Sequence, residues 1–130
     1  MIIEYNTNMS TLPPRVAKMW EAFGAVRVGA SIDGMGAVLE YQRYPAKWDK
    51  SLRNLRTLDA MPNNIQSWLA FTVTAYNVDH MIDFMKWKLE SGFKKLNSGT
   101  VPGGVQMGGG LVNMHLLYIP TFLSIQILPE

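Results

Sequence analysis

The chain has 130 residues, enough for one domain with a modest core. Its net charge of +2 carries no basic stripe with interleaved aromatics, so nucleic acid is not implied, and no apolar run reaches the ~18 residues of a membrane span. The absence of cysteine excludes disulfides, thiolate catalysis and a cysteine-held metal cluster within the chain, and the only histidines, His80 and His115, make a histidine-based zinc site an unpromising reading.

Ile2-Ile3-Glu4-Tyr5 reads as a short strand that ends in the polar turn Asn6-Thr7-Asn8. Pro13 and Pro14 suit a helix entry, where a missing N–H costs nothing. Val16, Met19, Trp20 and Phe23 follow at helical spacing and Gly24 stops the helix. Ala25 to Ala30 is Val-rich and reads as a buried strand. It turns on Ser31-Ile32-Asp33-Gly34 into a short helical segment around Ala37 to Tyr41, which Pro45 interrupts. A further helix is expected from Trp48 to Leu58, with Leu52, Leu55 and Arg56 along one buried stripe.

Ser67 to Thr74 reads as the third strand, with Asn77 just past its end. A helix follows from Val78 or Asp79 to Glu90, with Met81, Ile82, Met85 and Leu89 on its apolar side and Asp79 as N-cap. Ser98 to Gly110 is a Gly-rich loop with Pro102, and Gly103-Gly104 and Gly108-Gly109-Gly110 lack the Gly-Lys-Ser/Thr and the helix of a phosphate loop. Leu111 to Tyr118 and Phe122 to Leu128 are strand candidates on either side of Pro120. The alternation predicts an α/β domain over 1–130 with about four mostly parallel strands and three crossover helices.

In parallel sheets, polar residues at the carboxyl ends of strands line ligand sites. Three such ends are polar here: Thr7 and Asn8, Ser31 and Asp33, and Asn77. Each has two readings. Ser31 and Asp33 suit the two hydroxyls of a ribose, or they cap their own turn through local bonds to the backbone. Thr7 and Asn8 divide in the same way, and Asn77 either lines the site or precedes its helix. Arg43 either forks onto a carboxylate or is solvated. His80 reads as structural, and His115 faces either the core or the site.

In order along the chain come Tyr5-Asn6-Thr7-Asn8, Leu12-Pro13, Trp20-Glu21-Ala22-Phe23, Ser31-Ile32-Asp33-Gly34, Glu40-Tyr41-Gln42-Arg43-Tyr44-Pro45-Ala46-Lys47-Trp48, Thr72-Val73-Thr74-Ala75-Tyr76-Asn77 and the segment from Pro120 to Pro129. Together they resemble the central and C-terminal part of a radical S-adenosylmethionine enzyme of the kind with a cysteine-poor, twitch-type auxiliary end. The resemblance implies a partial (β/α) barrel, in which a 4Fe–4S cluster on a three-cysteine loop cleaves S-adenosylmethionine to a 5'-deoxyadenosyl radical. It implies that Ser31 and Asp33 lie near the ribose and Arg43 near the methionine carboxylate. Thr7, Asn8 and Asn77 would line the same cavity.

Two departures stand out. Met9 occupies a position where the family has glycine, and neither the three-cysteine loop nor a Gly-Gly-Glu type turn is present. Without thiolates the chain holds no cluster of its own. The expectation is therefore a barrel segment that begins at the third strand of the family fold. It would supply S-adenosylmethionine-binding strand ends without being catalytically competent alone, either as the product of a split or truncated gene or as the partner of a chain that carries the missing half, the 4Fe–4S cluster being expected only in a complete parent enzyme or such a partner. The alternatives are a catalytically dead nucleotide-binding or protein-interaction module and a small structural module related to the family only by remote ancestry. With its edges and an apolar inner face uncovered, such a half-barrel is expected to self-associate or to pair with that partner. No nucleic acid and no membrane enter this reading, and with no export signal recognised the setting is expected to be the cytoplasm.

Overall fold

The computed structural model describes the backbone of residues 1–98 and 112–116 and the side chains of residues 1–96. The chain is α/β. Its strands are β1 (Ile2–Thr7), β2 (Ala25–Ser31), β3 (Ile65–Val73) and β4 (Val112–Leu116). They lie in the order β1-β2-β3-β4, every neighbouring pair parallel. The connections carry α1 (Pro14–Glu21), then α2 (Gly36–Gln42) with α3 (Trp48–Asp59), then α4 (Met81–Glu90) with α5 (Lys95–Ser98). Among the described residues the three expected crossovers thus hold five helices. The Gly-rich loop at 98–110 lies, but for Ser98, outside the described residues, and the Phe122 to Leu128 strand candidate lies wholly outside them.

Alternation along each strand divides the sheet into two faces. Val26, Val28 and Ala30 of β2 and Ile65, Leu69 and Phe71 of β3 are fully buried. They form one core with Trp20 of α1, Leu39 of α2, Leu55 and Leu58 of α3, Phe84 of α4 and Leu96 of α5, so the five described helices cover this one face. The opposite face carries Glu4 and Asn6 of β1, Arg27, Gly29 and Ser31 of β2, and Gln66, Trp68, Ala70 and Thr72 of β3. The expected apolar inner face is thus mixed, with Trp68 and Ala70 nearly buried among polar neighbours. The strands read as Val-rich because their helix-side residues are, and the polar residues between them fall on the other side.

Helix faces depart from the sequence expectation in three places, the first being α1, where Met19 is exposed and Trp20 alone is buried. On α4 the buried residues are Phe84 and Lys88, while Ile82 and Leu89 are exposed. The helix is turned so that the Phe84 ring packs on Phe71 at 4.8 Å and on Trp87 at 5.4 Å. Burying two aromatic rings outweighs burying two aliphatic chains. On α3 Arg56 is exposed and lies over the Phe93 ring, 4.3 Å from its centre, while Ser51, Leu55 and Leu58 face inward. Asp79 is not an N-cap: residues 76–80 form turns, and His80 begins α4 by accepting the Phe84 N–H through its backbone carbonyl at 2.9 Å.

Side chains supply the caps that local sequence lacks. Glu40 of α2 accepts the Trp48 N–H at 3.0 Å and pairs with Lys47 at 3.1 Å, and these contacts, Trp48 first, hold its carboxyl below the usual glutamate range. Asp59 accepts the N–H groups of Lys94, Lys95 and Leu96 and so begins α5. Asn64 ties the turn before β2 by donating to Phe23 O at 2.8 Å. Met9 stands in the left-handed region at φ 55°, with its side chain fully buried and its carbonyl held by Asn54 Nδ2 at 2.7 Å. No helix among the described residues is long and apolar enough to cross a membrane.

Candidate functional site

The turns after β2 and β3 meet at the carboxyl end of the sheet. β2 ends at Ser31, and Ile32 extends the pairing by donating to Ala70 O at 2.9 Å. This delivers Asp33, nearly fully buried, against the end of β3. Its Oδ1 accepts the Thr72 N–H at 2.9 Å, and its Oδ2 accepts Arg43 Nε at 2.6 Å. The carboxylate therefore has one partner from the neighbouring strand and one from the residue that ends α2.

Asn77 completes the junction. Its Nδ2 donates to Asp33 O at 2.9 Å and to Thr72 O at 2.8 Å, and its Oδ1 accepts the Thr74 N–H at 2.7 Å. Gln42 adds an outer link, with Nε2 donating to Asp33 O at 3.3 Å and Oε1 accepting from Thr74 Oγ1 at 3.0 Å. Buried polar groups satisfied in this way make a stiff junction, because each partner lost leaves another group unpaired.

Of the six residues picked out by sequence, the structure brings Asp33, Arg43 and Asn77 into one hydrogen-bonded unit. Ser31 stands half-buried at its rim on the polar face of the sheet, and its hydroxyl has no hydrogen-bond partner among the described residues. Thr7 and Asn8 bond within their own turn: Thr7 Oγ1 accepts the Met9 N–H at 3.2 Å, and Asn8 Oδ1 accepts from Ser10 N at 3.0 Å and Ser10 Oγ at 2.7 Å. Among the described residues they reach the site only through the sheet, where Thr7 pairs with Ala30. His115 of β4 is in register with Thr72.

Sequence reasoning missed Gln42, Thr72, Thr74 and the link between Met35 and His80. Thr74 and Asn77 had a signal, since an Asn three residues after a Thr often closes a turn onto the backbone. Thr72 had none, because it acts through its backbone N–H and carbonyl. The guanidinium of Arg43 is the group best placed to meet a ligand. Asp33 takes its Nε, the side chain is about a quarter exposed, and Nη1 and Nη2 make no hydrogen bond among the described residues. An arginine held by one edge offers its remaining donors in a fixed plane, which suits a carboxylate or phosphate. Among the described residues no group of three or more His, Asp or Glu side chains is arranged to hold a metal ion. The chain matches no protein-family model, no curated protein and no solved structure.

Proposed function

We propose that this chain supplies S-adenosylmethionine-binding strand ends to a radical S-adenosylmethionine barrel. The observation that carries the reading is Arg43, aligned by buried Asp33 and with two terminal nitrogens left for a ligand carboxylate. The strand order and the placement of the described helices on one face support it, since a (β/α) barrel segment has both features. In this reading Arg43 receives the methionine carboxylate and Ser31 offers its hydroxyl to the ribose. Asp33 and Asn77 hold that frame, and Thr7 and Asn8 shape the adjoining strand end. The chain has no thiolate for an iron–sulfur cluster, so the 4Fe–4S cluster and its electron belong to a partner chain, acting in the cytoplasm.

Calorimetric titration tests this reading with two ligands, S-adenosylmethionine and its decarboxylated analogue. Wild type is expected to prefer S-adenosylmethionine by about tenfold or more, the value of a charge-assisted hydrogen-bonded pair. Arg43→Ala is expected to lose that preference. Equal affinity of wild type for both ligands, or binding of neither, overturns the assignment.

A second reading, a protein-interaction module, draws on one observation. Tyr41 and Tyr76 are both exposed and meet edge to face with ring centres 5.5 Å apart. Retention of a partner by a chain that binds no S-adenosylmethionine would favour it.

A further inference from the structure

We propose that His80 is the positioning residue of this site: its Nε2 accepts the Met35 N–H and fastens the turn carrying Asp33 to the turn carrying Asn77. The contact is 3.0 Å long and joins residues 45 apart in the chain. Met35 is the N-cap of α2, in extended conformation, and no side chain of its own turn caps the helix. A half-buried N–H at such a point needs an acceptor, and the imidazole provides it. The same residue begins α4 with its backbone carbonyl, so His80 joins the starts of the two helices that flank the site.

Gly34 supplies an independent observation. It sits at φ 154°, and a Cβ there would lie 2.8 Å from Val38 Cγ1 and 3.2 Å from His80 Cδ2. The turn thus leaves this space to the Val38 side chain and the imidazole packed beside it. Three residues before His80, Asn77 donates to Asp33 O. The short segment 77–80 therefore grips the site turn at two points, Asp33 and Met35, on either side of Gly34. Asp33 in turn sets the plane of Arg43, so the histidine acts on a ligand through two intermediaries and touches none itself.

The bond requires Nε2 without a proton, and so the ring's proton on Nδ1. Of the carboxylates nearest in sequence or in the site, Asp33 is committed to Arg43 and Thr72, and Glu40 to Lys47 and Trp48. Asp79 and Asp83 make no ion pair with the imidazole among the described residues.

The effect on ligand binding rests on the functional reading above, so the test has two readouts. In the isotope-labelled 130-residue chain, nitrogen–proton correlation spectra report the His80 tautomer, and hydrogen exchange reports protection of the Met35 amide. Wild type is expected to carry the Nδ1 proton. In His80→Phe, which keeps a ring without an acceptor, Met35 protection is expected to fall about tenfold, the equivalent of one hydrogen bond. His80→Gln, whose amide oxygen stands near the position of Nε2, is expected to keep protection near the wild-type level. Affinity for S-adenosylmethionine is expected to follow the same order, with global melting of the two variants alike. An Nε2 proton, or equal Met35 exchange in wild type and His80→Phe, overturns the clasp. Unchanged affinity in His80→Phe despite lost protection overturns its positioning role. If wild type binds no S-adenosylmethionine, the functional reading and the positioning role fail together, while the exchange data still decide the clasp.

Discussion

Asp33 meets Arg43 through Nε alone, at 2.6 Å, and spends its other oxygen on the backbone of Thr72. A carboxylate used in this way is part of the frame and cannot be removed silently. Asp33→Ala is expected to lower stability by about 2–4 kcal/mol, since it leaves an arginine without its partner and a strand N–H unpaired. A bare turn cap lost in the same way costs about 0.5–2 kcal/mol. Urea unfolding distinguishes the two, and a loss below that of a cap would contradict the ion pair. In an Arg43→Ala background the same substitution is expected to cost less, because the pair is already broken.

Met9 joins a strained backbone to a buried side chain, and its variants separate the two effects. Glycine relieves a left-handed strain of about 1–2 kcal/mol but gives up core packing worth about 2–5 kcal/mol. Alanine gives up the packing and keeps the strain. The expected order of stability is therefore wild type, then Met9→Gly, then Met9→Ala, the reverse of the usual alanine-over-glycine ranking. Thermal unfolding in which Met9→Ala exceeds Met9→Gly would sink this account.

Gly29 lies between Asn6 and Trp68 on the face of the sheet opposite the helices. A Cβ at this position would overlap Asn6 Oδ1 and come within 2.9 Å of Trp68 Cζ2. Asn6 is exposed and can swing aside, whereas Trp68 is nearly buried and cannot. Gly29→Ala is expected to cost about 1–3 kcal/mol through overpacking. Asn6→Ala in the same chain should restore little of it, and Trp68→Phe should restore more. Denaturant midpoints of the single and double variants measure the coupling.

Lys88 is 2% exposed in the face of α4 packed on the core, and burial lowers its pKa from 10.5 to about 8. The unfolded chain then holds a proton that the native chain has released between pH of about 8 and 10.5. Stability from this group accordingly rises with pH across that window, with a slope of at most about 1.4 kcal/mol per pH unit. Lys88→Met is expected to flatten the rise. Guanidinium unfolding at several alkaline pH values provides the check, and a slope the same in both proteins would refute it.

The fold was legible where side-chain chemistry repeats on a strand or helix period. Val26, Val28 and Ala30 announced β2, and Trp48 to Leu58 fell one residue short of α3. β3 starts two residues earlier than the pattern suggested, because Gln66 faces the polar side and interrupts the apolar run. The rotation of α4 was hidden, since choosing Phe84 over Ile82 depends on Phe71, which lies on another element. Asp33, Arg43 and Asn77 were recognisable as individual polar residues at strand and helix ends. Their union was not, because it runs through the Thr72 N–H and two backbone carbonyls, groups that every residue possesses.

Strand order in space repeats strand order in the chain, and this bears on synthesis. Each strand needs only its predecessor as a template, so no pairing waits for a strand beyond the next one to emerge. β1 can gain its ladder once residues 25–31 have left the ribosome, and β3 can add to β2 before any of β4 exists. The sheet can therefore be laid down at the pace of translation, one βα unit at a time, with the newest strand always the one that receives the next.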